Sequence, residues 1–172
     1  MKALPNCIIE VDAIQVIEGK ESHAYYLSSR LRKNDLREVW LSDSDPLQAL
    51  LTPIVDKEDL DATTYTATVG GEPICMFGTV KATDNQAVVW ALGSDKIFKY
   101  RKSFVKASIE VVNLLQNNYE KIWNVVPYDH LDTIIWLKKL GFIIENDFVL
   151  QKNVPMLNFF RCKNLENMAT VH

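Results

Sequence analysis

Apolar residues in the first part of the chain change from a strand-like run to a helical spacing. Residues 7–11 and 14–17 are mostly apolar, which predicts a strand that closes at Gly19. A helix is predicted to begin near Ser22, because a serine hydroxyl accepts a hydrogen bond from the free N–H groups of a first turn. The apolar stripe of that helix consists of Ala24, Leu27 and Leu31.

A turn and a second helix are predicted next. Residues 35–40 are interpreted as a turn and short continuation of the first helix. The second helix is predicted to begin at Asp45-Pro46, because aspartate caps a helix and proline suits its first position. Pro53 is expected to keep this helix short.

The middle of the chain has the pattern of a meander of three strands. Residues 64–69, 73–81 and 87–92 are rich in β-branched and apolar residues. Gly70-Gly71 predicts a hairpin turn between the first two, and residues 83–86 predict a second turn. The three strands are therefore expected to be antiparallel neighbours.

The rest of the chain alternates helices with strands. A long helix is predicted from about Lys96 or Tyr100 to Asn118, and a strand over residues 122–126. Another helix is predicted to be capped by Asp129 and to stop at Gly141. Final strands are predicted from residues 142–144, 148–150 and 157–161. Because a long helix connects residues 88–92 to 122–126, these two strands are expected to be parallel neighbours.

This order of elements predicts a mixed α/β fold. We expect a central mixed sheet of six to seven strands flanked by about four helices. The length of 172 residues suits a single domain, predicted over residues 1–163, with a polar tail over residues 164–172. Trp90 and Trp123 are expected to pack in the core, whereas the pattern leaves the exposure of Trp136 open.

Composition and charge exclude several classes of protein. Of the residues, 48% are hydrophobic and 24% charged, which is typical of a folded domain. The formal net charge of -3 argues against a dedicated nucleic-acid binder. No apolar run reaches the roughly 18 residues of a membrane span, and the N-terminus lacks the apolar core of a secretion signal. We therefore expect an intracellular protein without a membrane span.

The cysteines and histidines do not predict a metal site. Cys7, Cys75 and Cys162 are far apart, and no pair has the spacing of a metal-binding or redox motif. We expect three reduced cysteines that behave as small apolar residues.

The most specific motif lies over residues 130–142. This segment ends in Gly141-Phe142 and resembles the N-x-x-A-x-x-L-Y-x-x-x-G-F segment of GNAT-fold acetyltransferases. In that family the helix packs beside the acetyl-CoA cofactor. The order of elements is similar to the GNAT fold over nearly the whole chain, so the resemblance implies that fold.

The chain departs from the GNAT pattern at three places. Family members carry a Q/R-x-x-G-x-G/A loop, whose glycines let backbone N–H groups close around the cofactor pyrophosphate. In residues 93–103 Gly93 is the only glycine. The tyrosine that protonates the leaving thiolate falls on Leu137, and the asparagine of the motif falls on His130. The resemblance thus implies no catalytic residue and no bound cofactor here.

Some residues remain candidates for cofactor binding if the protein is active. Lys96, Lys99, Arg101 and Lys102 could hold a phosphate by their side chains, although a solvated first helical turn is the favoured interpretation. Tyr128 is a weak substitute for the missing acid. The candidates for acetyl-CoA binding under this alternative are Ala91, Leu92, Gly93, Ser94, Lys96, Lys99, Arg101, Asn124 and Tyr128.

A narrower resemblance involves residues 31–40, 90–95, 123–126 and 136–142. These segments are similar to the GNAT-like internal virion protein A family of T7-like podoviruses. The resemblance implies a phage protein in the virion and the host cytoplasm, with other virion proteins as partners. Two functions remain. The first is a non-catalytic protein of virion structure or assembly, which the missing cofactor-loop glycines and the missing tyrosine favour. The alternative is an acyl-CoA-dependent N-acetyltransferase with an atypical cofactor loop.

Overall fold

Eight strands form one mixed sheet with the spatial order β1-β2-β3-β4-β5-β6-β8-β7. The computed structural model describes residues 6–164. The strands are β1 (Ile9–Val11), β2 (Ile14–Glu18), β3 (Ala62–Val69), β4 (Glu72–Thr83), β5 (Gln86–Gly93), β6 (Lys121–Pro127), β7 (Ile143–Gln151) and β8 (Val154–Cys162). Spatial order follows chain order except at the last two strands, which leaves β7 at an edge of the sheet.

Six α-helices and one 3₁₀ segment connect these strands. The helices are α1 (Glu21–Ser28), α2 (Lys33–Leu41), α3 (Pro46–Val55), α4 (Lys57–Leu60), α5 (Arg101–Gln116) and α6 (Leu131–Lys139). The 3₁₀ segment, Asp95–Tyr100, leads directly into α5. No helix within residues 6–164 is long and apolar enough to cross a membrane.

The pairing of the strands confirms the predicted mixed sheet. Strands β3, β4 and β5 are successive antiparallel neighbours, and Gly70 and Gly71 form the first turn with positive φ. Strands β5 and β6 are parallel, with Val88 opposite Trp123. The expectation of a parallel pair joined through a long helix is therefore confirmed.

The sheet has one strand more than the upper limit that the sequence predicted. The run predicted as one strand is a hairpin, in which Val11 pairs with Ile14 across a two-residue turn. Asp12 takes a left-handed conformation there, with φ of 52°. Aspartate tolerates this conformation better than most residues, and the continuous apolar pattern concealed the turn.

Tertiary contacts override some of the local helix signals. The Asp45 cap is confirmed, because its side chain accepts a hydrogen bond from the N–H of Gln48. The caps predicted at Ser22 and Asp129 are wrong, since α1 and α6 begin after Lys20 and His130. Residues 35–40 belong to the separate helix α2.

Helices cover both faces of the sheet, and β4 shows how the core divides. Cys75 and Phe77 belong to a large cluster formed with α5 and α6. Met76, between them in sequence, belongs to a smaller cluster formed with α1, α2 and α3. This alternation follows from the two-residue period of a strand. The predicted tail lies outside the described residues, apart from its first residue, Asn164.

Replacing a phenylalanine by alanine is expected to lower the free energy of unfolding by different amounts on the neighbouring strands β8 and β7. Phe160 on β8 is 2% exposed, whereas Phe148 on β7 is 58% exposed. Phe160→Ala is expected to lower the free energy of unfolding by about 3–5 kcal/mol, because it leaves a cavity. Phe148→Ala should change it by no more than about 0.5 kcal/mol. Urea unfolding of both variants measures the difference, and equal effects would contradict this core.

Candidate functional site

Strands β5 and β6 separate soon after they pair. Their pairing ends at Val88 and Trp123, and beyond this point the side chain of Asn124 donates a hydrogen bond to the carbonyl oxygen of Val89 at 2.7 Å. A cavity of about 210 Å³ lies at this opening and is lined mostly by apolar groups. Its wall includes Ala91 and Val126 from the two diverging strands. We call it the inter-strand cavity.

A second cavity, also of about 210 Å³, lies between the start of α5 and helix α6. Phe98 and Arg101 line one side of it, and Ile135 and Lys139 line the other. We call it the α5–α6 cleft. Trp136 lines both cavities, so this side chain belongs to the wall between them.

Three aromatic rings form a stack at that wall. The ring centroids of Phe77 and Phe104 are 5.6 Å apart, and those of Phe104 and Trp136 are 5.8 Å apart. Both pairs are nearly parallel, with interplanar angles of 23° and 21°. This answers the question that the sequence left open, since Trp136 is half-buried in a stack rather than exposed.

The backbone N–H groups after β5 are used within the protein. The N–H of Gly93 donates to Asp35 Oδ2 at 2.8 Å, and that of Ser94 donates to the carbonyl oxygen of Ile74 at 2.9 Å. The N–H groups of Lys96 and Ile97 both donate to Ser94, to its hydroxyl and carbonyl oxygens. These four N–H groups are therefore not free to bind a phosphate.

Asp35 is the centre of this arrangement. Its carboxylate is 2% exposed and accepts two hydrogen bonds from Arg32, at 2.9 Å and 3.0 Å. The backbone N–H of Arg32 donates in turn to the carbonyl oxygen of Gly93 at 2.8 Å. A Cβ atom at Gly93 would lie 2.9 Å from the carbonyl oxygen of Ile74, so glycine is required here by protein packing.

The cations after this loop have different surroundings. Lys96 forms an ion pair with Glu72, which also accepts a hydrogen bond from the Tyr26 hydroxyl. The hydrogen bond to Glu72 raises the pKa of Lys96, and the same contact lowers the pKa of Glu72. Lys99 is exposed above the ring of Tyr100, whereas Arg101 lines the α5–α6 cleft.

A carboxylate and a histidine meet at the inter-strand cavity. Glu38 lines the cavity, and its Oε1 lies 3.1 Å from Nδ1 of the buried His130. Burial raises the pKa of Glu38 despite this hydrogen bond. Arg37 pairs with Asp129 at 2.8 Å, and its Nη1 lies 3.4 Å from Nε2 of the same histidine. Glu38 is therefore the group in this cavity best suited to accept a proton.

Sequence reasoning missed both Asp35 and Glu38 as site residues. They are three positions apart, close to the buried Val39 on α2, and this spacing places them on neighbouring positions of one helix face. Two carboxylates on the inward face of a helix are the sequence feature that could have identified them as site residues. The interpretation of residues 35–40 as a turn concealed it.

The other sequence candidates are dispersed. Leu92 and Asn124 line the inter-strand cavity, and Ala91 lines both cavities. Tyr128 is exposed and lines neither cavity. Leu137, at the position of the family's acid, is buried. Within residues 6–164, no three histidine, cysteine or acidic side chains lie close enough together to hold a metal ion.

A known protein family matches the middle of the chain. Its description is "Bacteriophage T7, probable scaffold protein Gp13", and the match spans residues 64–149, which is half of the chain. The chain belongs to this family. The matched residues run from β3 to β7 and include both strands of the inter-strand cavity. Among curated proteins, no match was found.

Solved structures show the fold of this family member. Aminoglycoside acetyltransferase AAC(6')-Ib, bound to ribostamycin and coenzyme A, is 18% identical, with a TM-score of 0.67 over 94% of this chain and 98% of that one. Ribosomal-protein-S5-alanine acetyltransferase from Vibrio fischeri is 13% identical, with a TM-score of 0.66 over 91% and 96%. RimL, an acetyltransferase of ribosomal L7/L12 bound to coenzyme A, is 9% identical, with a TM-score of 0.68 over 91% and 97%.

The chain therefore has the GNAT fold, in its mixed α/β form with eight strands. At these identities the likeness concerns the fold alone. Fold does not determine activity, so the function has to be argued from the site.

The position of Asp35 predicts a large cost for removing its carboxylate. Asp35→Ala leaves the Arg32 guanidinium and the Gly93 N–H without their acceptor, and should lower the free energy of unfolding by about 3 kcal/mol. Asp129→Ala removes an exposed ion pair and should cost about 1 kcal/mol or less. Urea unfolding measures both costs, and hydrogen exchange should accelerate at Gly93 in the first variant alone. Unchanged protection there would contradict the role of Asp35.

Proposed function

We propose that this chain is a non-catalytic GNAT-fold phage protein that acts in virion structure or assembly, as an internal or core-associated component. The observation that carries this proposal is the loop after β5. GNAT enzymes bind the cofactor pyrophosphate through backbone N–H groups, and here Asp35, Ile74 and Ser94 accept those of residues 93, 94, 96 and 97. A pyrophosphate would have to displace these internal acceptors.

Two further features support the absence of acetyl transfer. Leu137 stands where the family has its proton donor, and an aliphatic side chain cannot protonate a thiolate. The stack of Phe77, Phe104 and Trp136 stands between the two cavities, where an extended cofactor would have to pass from one to the other. Binding would require this packed wall to open.

The family description supports a role among virion proteins. Scaffold proteins act by binding other proteins, so such a function requires an accessible surface. The hairpin formed by β7 and β8 offers one, since Phe148, Val149 and Leu150 are 58%, 51% and 64% exposed. Trp40 is 57% exposed, and Lys152 lies 4.4 Å above its ring and donates to its carbonyl oxygen. We call Phe148 and Leu150, which lie two residues apart and therefore on one face of β7, the hairpin patch.

The alternative function is an acyl-CoA-dependent N-acetyltransferase with an atypical cofactor loop. The observation that favours it is the pair formed by Glu38 and His130 at the inter-strand cavity. A carboxylate with a raised pKa is suited to take a proton from an amine. This activity would require acetyl-CoA, which makes the two functions distinguishable by binding.

We expect acetyl-CoA not to stabilise the protein. A ligand at one hundred times its dissociation constant raises the free energy of unfolding by about 2.7 kcal/mol, which a thermal shift reveals. At millimolar acetyl-CoA the midpoint of unfolding should stay unchanged, because the N–H groups of residues 93, 94, 96 and 97 already have acceptors within the protein. An active GNAT enzyme serves as the positive control. A clear shift, confirmed by calorimetry at micromolar affinity, would support the alternative function.

We expect the protein to be present in purified phage particles or their assembly intermediates, and the hairpin patch to contribute to its incorporation. Phe148→Asp places a charge in the patch and should reduce the incorporated amount by about tenfold or more, as loss of an interface hot spot does. Tyr25→Asp changes an equally exposed aromatic residue on α1 and should have little effect. Quantitative mass spectrometry of particles measures both. Absence of the wild-type protein from all particles, together with normal particle formation without it, would refute the proposed function.

A further inference from the structure

The α5–α6 cleft concentrates positive charge in a chain whose net charge is -3. Arg32, Arg101 and Lys139 line it, and Asp132 is the one carboxylate among the described residues that do so. Arg32 is paired with Asp35. Within residues 6–164, neither Arg101 nor Lys139 forms an ion pair. Two cations therefore line the cleft without an ion-pair partner, together with one carboxylate, Asp132.

The cleft also presents apolar surface between these cations. The ring of Phe98 is 42% exposed and lies between two guanidinium groups, at 5.9 Å from Arg32 and 5.4 Å from Arg101. Ile135 is 54% exposed on the facing helix, and Trp136 lies beside it in the aromatic wall. An occupant would therefore combine negative charge with an apolar group.

The cleft is smaller than the pockets that usually bind small-molecule ligands. Ligand pockets usually measure roughly 300–1,000 Å³, whereas this cleft measures about 210 Å³ and ends at the aromatic stack. The loop beside it offers no free N–H group at Gly93, Ser94, Lys96 or Ile97. A single inserted side chain fits these limits better than an extended cofactor does.

We propose that the α5–α6 cleft binds an acidic segment of a partner protein. One apolar or aromatic side chain of that segment packs against Phe98, Ile135 and Trp136. Flanking aspartate or glutamate residues pair with Arg101 and Lys139. The inference rests on the proposed function, in which the protein acts by binding other virion proteins, and it adds the chemical class of one partner.

Charge complementarity gives this interaction two measurable properties. Opposite charges at the rim of an interface speed association and exclude wrong partners, and salt screens them because they remain accessible to solvent. Binding should therefore weaken as the salt concentration rises. It should also depend on the apolar side chain, which supplies the buried surface.

The test uses a peptide array that tiles the structural proteins of the phage encoding this chain, probed with the purified full-length protein. The segments bound by the wild type should have a net negative charge and at least one apolar or aromatic residue. Arg101→Glu and Lys139→Glu should each weaken binding to these segments by about tenfold. Arg101→Lys should retain most of the binding. Lys57→Glu makes an equal change of charge on α4, outside the cleft, where Lys57 pairs with Glu18; it serves as the control and should leave binding unchanged.

Several results would overturn the proposal. It is wrong if the bound segments are neutral or basic, if Arg101→Glu binds them as tightly as the wild type does, or if no segment binds. It is also wrong if RNA or acetyl-CoA, rather than an acidic segment, binds tightly in a manner that Arg101→Glu abolishes. Thermal unfolding of each variant confirms that it is folded before its binding is compared.

Measuring whether phage particles contain the protein distinguishes a failure of this proposal from a failure of the proposed function. If acidic segments bind but no particle contains the protein, the proposed function fails while the assignment of the cleft stands. If particles contain the protein but the Arg101→Glu variant binds every segment unchanged, the assignment of the cleft fails while the proposed function stands.

Discussion

The carboxylate of Asp35 connects two segments that are far apart in sequence. Asp35 lies on α2 and pairs with Arg32, the residue that directly precedes this helix. Its carboxylate also accepts a hydrogen bond from the N–H of Gly93 at the end of β5. A buried carboxylate without partners would be strongly unfavourable, so these hydrogen bonds have to form together. One group thus connects the start of α2 to the end of β5, in addition to the apolar contacts that hold the N-terminal helices on the sheet.

The same interaction occupies a backbone N–H group at the loop that binds the cofactor in GNAT enzymes. Backbone N–H groups at the start of a helix need acceptors, and a bound phosphate is one group that can supply them. In this chain Asp35, Ile74 and Ser94 accept the N–H groups of residues 93, 94, 96 and 97. A cavity remains where β5 and β6 diverge, because two parallel strands that separate leave the space between them unfilled. Phe77 and Trp136 line it, and the ring of Phe104 stacks between theirs.

Features of the fold that depend on neighbouring residues could be predicted from the sequence, whereas features that depend on side-chain contacts between distant residues could not. The Asp45 cap and the positive φ of Gly141 follow from neighbouring residues, and both are found. The parallel pairing of β5 and β6 was predictable because a helical connection leaves few alternatives. The Asp129 cap fails because that carboxylate pairs with Arg37, which is 92 residues away. The missing glycines after β5 could be read directly, whereas the hydrogen bond from Gly93 to Asp35 depends on how α2 packs against the sheet.

The placement of charge at the start of α5 is unfavourable to the isolated fold. Arg101 and Lys102 occupy the first turn of a helix of 16 residues, where the aligned peptide dipoles already make the potential positive. Opposing charges of this kind cost about 0.3–1 kcal/mol each, and Arg101 has no carboxylate partner within residues 6–164 to offset the cost. Because the N–H groups of residues 93, 94, 96 and 97 already have acceptors, an anion that approaches the start of α5 would meet the side chains of Arg101 and Lys102 instead.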